Sequence, residues 1–397
     1  MRPPLSPSDA KSLPVPEGAA LAHTRACAAM LREEIANAGG WLSFARFMER
    51  ALYAPGLGYY AAGARKFGAD GDFVTAPEIS SLFGQTLAIS IAEVLQQTGG
   101  GVLELGPGSG KLATDILMAL DEIGMLPDHY QLLEVSADLR ERQQRAIEAL
   151  PAHLAARAGW LDALPRDFTG IIIANEVLDV LPAHLVRWDA GGKFERGVGV
   201  RGEDFIWRDV PVTSAELSAQ MAHIERAYLN HAPPEDYLTE VAPTVAGLVR
   251  SLAQSLKHGV LLLIDYGFRG AEFYHPGRIT GTLMCHYRHY AHTDPFRYPG
   301  LQDITAHVDF TAVAEAGIAA GLHLAGYATQ AQFLLASGLT GLLAKTDPND
   351  SLRYLPLTNQ VQRLVSPAEM GEFFKVIGFT RGSVAFPALA RARPLPI

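Results

Sequence analysis

The sequence predicts an α/β fold built on a doubly wound sheet, and three observations carry that prediction. A short apolar strand, Val102–Leu105, runs into Gly106-Pro107-Gly108-Ser109-Gly110 and then at once into a helix-like segment from Lys111 to Leu120. Strand-like and helix-like segments alternate from Gly101 onward, the pattern of βαβ units. The run Gly170–Ala174 is apolar throughout, as a strand covered on both faces of a parallel sheet must be.

The elements can be justified in order. Met1–Gly18 is proline-rich and lacks the apolar core of a signal peptide; residues 1–22 are read as a flexible tail. His23 to Asn37 carries apolar positions at helical spacing, and Gly39-Gly40 stops that helix. Trp41 to Leu52 is a second amphipathic segment. Pro55–Tyr60 and Lys66–Glu78 belong to a long glycine-rich loop with aromatic and acidic residues. Loops of that length are functional or disordered, and the aromatic content argues for order. Ser80 to Gln97 reads as a helix leading into strand one, Val102–Leu105. Strand two is Tyr130–Val135, with a helix from Ala137 to Leu150 after it. A weak third strand lies near Ala158–Leu161, strand four is Gly170–Ala174 and strand five is Gly259–Ile264. Between strands four and five sits an insertion, about His184 to Lys257, hairpin-like in its first half and helical in its second. Leu322–Tyr327 and Arg381–Ala385 are the expected last strands. The chain thus divides into the tail (1–22), a helical cap with its loop (23–98), a core (99–183 and 258–397) and an insertion (184–257) expected to meet substrate or partner.

Composition narrows the function classes. The chain has 397 residues, 48% of them hydrophobic, enough for a substantial core. Acidic residues outnumber basic ones 42 to 33, a formal charge of −9. No basic tract of the kind nucleic-acid binders carry is visible. Cys27 and Cys285 are the two cysteines, with no C-x-x-C pair; a zinc ribbon or a disulfide framework is not expected. No apolar run has the roughly 18–20 residues a membrane helix needs. These features favour a bacterial cytoplasmic protein acting on a small molecule or a basic protein partner, without nucleic acid and without membrane insertion. An oligomer is left open.

In an open α/β sheet, ligands bind at the carboxyl ends of the strands. Here those ends carry Glu104, Glu134, Glu176 with Asp179, and Asp265, although carboxylates are disfavoured in buried strands. Glycine permits positive φ and a close approach of ligand to backbone. The dinucleotide fingerprint G-x-G-x-x-G needs a glycine where Lys111 stands, so a nicotinamide dehydrogenase is disfavoured. Glu134, after strand two, is placed to accept both hydroxyls of a ribose. Trp160 and Leu161 offer an adenine platform, or equally ordinary core packing. Asn175, Glu176 and Asp179 lie where the reactive end of a ligand on the glycine loop would point. Glu240, in Thr239-Glu240-Val241-Ala242-Pro243, adds a carboxylate from the insertion, with helix capping as the even alternative. His286, His289 and His292 are spaced by three, yet no cysteine joins them; no metal is expected, and a substrate-facing polar loop is the preferred reading.

The acidic-x-Gly-x-Gly-x-Gly pattern of Glu104–Gly110 resembles the first motif of class I S-adenosylmethionine (SAM) methyltransferases. Further segments resemble the MidA-like family, which contains mitochondrial complex I assembly-factor methyltransferases and bacterial relatives. They are Gly71–Ser80, Glu104–Gly110, Ala174–Pro182, Asp265-Tyr266-Gly267, Gly281-Thr282-Leu283 and Gln302–Phe310. The resemblance runs in order from about Leu31. It implies the Rossmann-like class I fold, SAM as cofactor with S-adenosylhomocysteine as product, and protein-arginine methylation; the mitochondrial members form symmetric dimethylarginine on a complex I subunit. It also implies site roles. Gly106, Pro107, Gly108 and Gly110 take the methionine side of the cofactor beside Glu104, and Glu134 takes the ribose. Phe73, Thr75 and Pro77 lie in the segment that closes over the cofactor. Asn175, Glu176 and Asp179 face the methyl group. Met284-Cys285-His286 departs from the more basic run expected after Gly-Thr-Leu.

Methyl transfer is an in-line displacement that asks an enzyme chiefly to position and shield. A guanidinium is always protonated, and carboxylates can hold it bidentately. Glu176 and Asp179 are therefore the expected catalytic pair, with Glu240 or Asp265 assisting. The alternatives are a small-molecule or other protein nitrogen as acceptor, and a SAM-binding assembly chaperone with little catalysis.

Overall fold

The computed structural model describes residues 13–61, 74–392 and 395–397. Its centre is an eight-stranded sheet whose main path is β1 (Gly101–Leu105), β2 (Tyr130–Leu133), β3 (Ala158–Leu161), β4 (Phe168–Asn175), β5 (Leu256–Phe268), β6 (His323–Thr329) and β7 (Phe374–Arg381), with Val308–Asp309 pairing with the end of β5. Their order is β3-β2-β1-β4-β5-β7-β6. β1 to β5 are parallel, whereas β7 runs antiparallel between β5 and β6. The order reverses between β1 and β4, which is where a doubly wound sheet opens its ligand crevice. This is the class I methyltransferase architecture that the sequence predicts.

Alternation along each strand builds two cores. Ile171 and Ile173 of β4 join Val102, Val260 and Val376 on one face, against Phe83, Leu87 and Ile91 of the helix Ser81–Thr98 and Leu112 and Ile116 of the helix Lys111–Glu122. Ile172 points the other way with Leu103, Leu261 and Ile377, against the helices Pro243–Ser255 and Phe310–Ala319. Period-two geometry sends neighbours to opposite faces, so one apolar run serves both layers.

One strand differs from expectation. The last strand is Phe374–Arg381, not Arg381–Ala385, and Arg381 is its final residue. Gly378 in its middle weakens the strand pattern. A Cβ there would lie 2.4 Å from Leu389 Cδ1, so that leucine side chain would have to shift. The first helix, Gly18–Asn37, also begins before His23.

The insertion forms a second sheet. His184–Asp189, Gly192–Arg201 and Asp204–Pro211 are its hairpins. The second half contains the helix Ala215–Tyr228, but also the strand Tyr237–Val241, which pairs with His184–Asp189. Leu42–Ser43 adds to this sheet by pairing with Gly197–Val198, so the N-terminal helices pack on it through Leu31, Phe44 and Phe47. A third small sheet comprises Met284–Tyr287, Tyr290–His292 and Asp303–Thr305.

Gly101, Gly170 and Gly259 stand side by side across β1, β4 and β5. Gly170 has φ +128, and a Cβ on it would lie 2.0 Å from the Gly101 carbonyl oxygen; Gly259 has φ +141 and the same conflict with Gly170 at 1.8 Å. These obstacles are backbone and cannot move aside. Gly170→Ala is therefore expected to lower unfolding free energy by about 2–4 kcal/mol, read by chemical denaturation. A loss below about 1 kcal/mol would contradict this packing argument.

Candidate active site

The glycine loop leaves the carboxyl end of β1 with Gly106, Gly108 and Gly110 at φ 58, 55 and 83. A Cβ at Gly106 would lie 2.8 Å from Val177 Cγ2, and one at Gly110 would lie 3.2 Å from Gln143 Cα. Gly110 caps the helix Lys111–Glu122, and the Ser109 hydroxyl bonds the Glu78 carboxylate. Beneath the loop, Glu104 is buried and accepts a 2.6 Å hydrogen bond from the Tyr130 hydroxyl. Burial pushes its carboxyl up to about 7, against the pull of Tyr130. Glu134, just beyond β2, accepts from the Ser136 N–H at 2.8 Å and from Gln143 Nε2 at 3.0 Å.

A tight turn follows β4. Asp265, fully buried near the carboxyl end of β5, accepts the backbone N–H groups of Val177 (3.1 Å), Leu178 (2.8 Å) and Asp179 (3.2 Å) on one oxygen, and that of Tyr266 (2.9 Å) on the other. Burial and the charges of Asp179 and Glu176 push its affinity for protons up, while these N–H groups pull the other way. Glu176 sits at φ 54, a left-handed conformation uncommon outside glycine that marks stored strain. Its Oε1 accepts from the Ala76 N–H at 3.2 Å and from Asn175 Nδ2 at 3.1 Å. Burial, then the charge of Asp179, raises Glu176 to about 8. Asp179 is raised by burial to about 6, and the Tyr266 hydroxyl, donating at 2.6 Å, opposes this.

A cavity of about 1820 Å³ joins these parts. Its wall contains Glu104, Gly106, Pro107, Gly108 and Glu134 on one side and Asn175, Glu176 and Asp179 on another. Thr75 and Pro77 reach it from the short helix Ala76–Ile79. Phe73, expected beside them, lies outside the described residues. Five expected residues do not reach the wall. Gly110 is one step behind the loop, against Gln143. Trp160 turns its indole N–H to Gln143 Oε1 at 2.9 Å, and Leu161 packs into the core. Asp265 holds the acidic turn from behind. Glu240 accepts the N–H groups of Thr282 (2.7 Å) and Leu283 (2.9 Å), fixing the Gly281–Leu283 turn. Asp265 spends both oxygens on backbone N–H groups, and Glu240 spends Oε1 on backbone N–H groups and Oε2 on the Thr282 hydroxyl at 3.2 Å.

Further residues of the family-like segments Asp265-Tyr266-Gly267 and Gln302–Phe310 also line the cavity. Tyr266 follows Asp265 on the same strand yet faces Asp179. Asp303 accepts the Tyr60 hydroxyl at 3.0 Å, and Tyr53 stacks on Tyr60. His307, on the wall, is pushed down to about 4 by burial, with Arg278 and Lys375 adding to the effect. Of the three spaced histidines, His286 and His289 reach the wall, while His292 is fully buried. Arg288 and His289 form a two-residue hairpin turn with φ 47 and 65. Among the described residues no group of three or more His, Cys, Asp or Glu side chains has metal-site geometry.

These residues fit S-adenosylmethionine. The three loop glycines hold positive φ, the conformation that lets a ligand come close to backbone, and Asn175 Oδ1 and Asp179 Oδ1 are buried acceptors without a partner. The volume exceeds the roughly 300–1,000 Å³ of common small-molecule sites, leaving space for a second reactant. Residues 86–328 match the model of a family described as "Putative S-adenosyl-L-methionine-dependent methyltransferase". The chain belongs to the MidA-like family of SAM-dependent methyltransferases. It is 50% identical to a Burkholderia thailandensis superfamily member crystallised with S-adenosyl-homocysteine bound, over 96% of this chain and 98% of that one, with a TM-score of 0.91. It is 30% identical to "Protein arginine methyltransferase NDUFAF7, mitochondrial" of Danio rerio, over 87% of this chain and 85% of the relative. The Bos taurus protein of the same name is 31% identical over 85% and 80%. S-adenosylmethionine is thus the cofactor of this family member.

The strained, half-buried Glu176 gives a pH signature. Its folded affinity for protons, raised from 4.5 to about 8, means that the folded state binds more protons than the unfolded one in that window. Stability therefore falls as pH rises through it. Glu176→Gln is expected to raise the melting temperature near pH 8–9 and to leave it nearly unchanged near pH 4–5. Thermal melts across that range check it, and a variant that follows the wild-type pH curve contradicts it.

Proposed function

We propose that this methyltransferase acts on a protein arginine, with Glu176 and Asp179 holding the guanidinium. The observation that carries this reading is the pair itself: two carboxylates on the cavity wall beside the glycine loop, both raised by burial and awaiting a cation. Relatives named as protein arginine methyltransferases support it. A guanidinium bound between them restores both carboxylates to their ionised form and donates hydrogen bonds to them from the fixed plane of its N–H groups.

S-adenosylmethionine supplies the electrophilic methyl group. Gly106, Pro107 and Gly108 seat its methionine side, Glu134 accepts the ribose hydroxyls, and Thr75 and Pro77 close the cavity against water. Asn175 fixes Glu176 through the 3.1 Å bond from its amide and keeps Oδ1 for the ligand. As the guanidinium nitrogen forms its new bond to carbon and the carbon–sulfur bond breaks, the departing proton passes to Glu176. A group raised towards neutrality suits that exchange. Asp265 and Glu240 act as positioning residues through the turns that they hold. Symmetric dimethylarginine on a respiratory complex I subunit is the product and acceptor to test first. Cys27 and Cys285, both unbridged and buried, agree with a reducing compartment, and we assign the chain to the bacterial cytoplasm on that ground.

Two measurements test the reading. Glu176→Gln is expected to reduce methylarginine formation at least about a hundredfold while S-adenosylhomocysteine affinity stays within about threefold; near-wild-type product formation removes Glu176 from the chemistry. Mass spectrometry of complex I subunits from a deletion strain and its parent should show symmetric dimethylarginine lost in the deletion. Unchanged methylation removes that acceptor.

A further inference from the structure

Gln143 lies inside the helix Ala137–Glu148, among arginines, glutamates and another glutamine, yet it is fully buried. Its Nε2 donates to the Gly108 carbonyl at 2.9 Å and to Glu134 Oε2 at 3.0 Å. Its Oε1 accepts from the Trp160 indole at 2.9 Å. Both amide donors and an acceptor site are thereby used. An indole N–H only donates, so Trp160 dictates which end of the amide faces it and sends the NH2 group to Gly108 and Glu134. Other residues of this size fail here. A glutamate would set a second carboxylate oxygen against Glu134 Oε2 and the Gly108 carbonyl. A leucine would remove the amide that bonds the Gly108 carbonyl, Glu134 Oε2 and the Trp160 N–H, each loss at a cost.

We propose that Gln143, oriented by Trp160, is a positioning residue that locks the glycine loop and the Glu134 carboxylate into one rigid cofactor cradle. Glu134 Oε1 is already turned to the Ser136 N–H, and the amide fixes Oε2, so the carboxylate plane is set before ligand arrives. The same amide ties down the carbonyl between Gly108 and Ser109. Ribose and methionine ends of the cofactor then meet a single preformed surface, and losing the amide loosens both. This role rests on the reading of Glu134 as the ribose acceptor.

The test pairs a protein change with a ligand change. Binding of S-adenosylhomocysteine and of its 2′-deoxy analogue is measured by calorimetry on the wild type, Glu134→Gln and Gln143→Leu. In the wild type, loss of the 2′-hydroxyl should weaken binding about tenfold. That penalty should shrink to about twofold in both variants. A wild type without the penalty, or a Glu134→Gln variant that keeps it, overturns the ribose reading and the Gln143 role with it. A Gln143→Leu variant that keeps the full penalty while Glu134→Gln loses it overturns the Gln143 role alone. Should Gln143→Leu fail to fold, Trp160→Phe decides. It removes only the orienting N–H and the rest of the indole edge, and it should reduce the penalty to about three- to fivefold; an undiminished penalty in a folded Trp160→Phe overturns the proposal.

Discussion

The site depends on one buried carboxylate meeting backbone N–H groups. Asp265 takes three consecutive N–H groups of the turn after β4 on one oxygen and its neighbour's N–H on the other. A buried charge without such donors would be prohibitively costly, and N–H groups at a turn without an acceptor would be orphaned. Each group therefore requires the other, and the turn has one position. That position forces Glu176 to φ 54 and presents Asn175, Glu176 and Asp179 to the cavity from between the ends of β1 and β5.

Buried acidic residues in this protein separate by what satisfies them. Asp265 is met by backbone N–H groups, and Glu240 by backbone N–H groups and the Thr282 hydroxyl, and both hold turns. Glu104 is capped by a tyrosine hydroxyl under the loop. Burial raises the proton affinity of all five, but Glu176 and Asp179 stand on the cavity wall beyond the glycine loop, where a cation can meet them. The chemistry of the residue type is constant; the position of each carboxylate relative to the cavity separates those that hold turns from those that face the open space.

Around this centre the other layers complete an enclosure. The insertion sheet takes in Leu42–Ser43 and so joins the N-terminal helices to the core. Tyr53 and Tyr60, from that region, approach Asp303 and the Val180 carbonyl. The small third sheet brings His286 and the strained Arg288–His289 turn to the same wall. The walls of the cavity thus come from different parts of the chain.

The sequence by itself determined the layer architecture, since apolar runs such as Gly170–Ala174 and the glycine turn after β1 encode their own geometry locally. It also placed acidic residues at the strand ends, and its ordered motifs resemble the family to which the chain belongs. It did not mark the strand Phe374–Arg381, whose central glycine answers to the helix packed above it, nor the strand Tyr237–Val241, which exists through pairing with a distant hairpin. Asp265 and Glu240 read as catalytic candidates alongside Glu176 and Asp179, because donors up to 88 residues away in sequence decide which carboxylates are saturated. Trp160 read as a ring platform, and Gln143 gave no signal in a polar helix. Which side of each side chain is buried, and which atom meets it there, is a non-local property. Residue identity and spacing specified the elements and the cofactor class, and only the packed structure decided the partner of each polar atom.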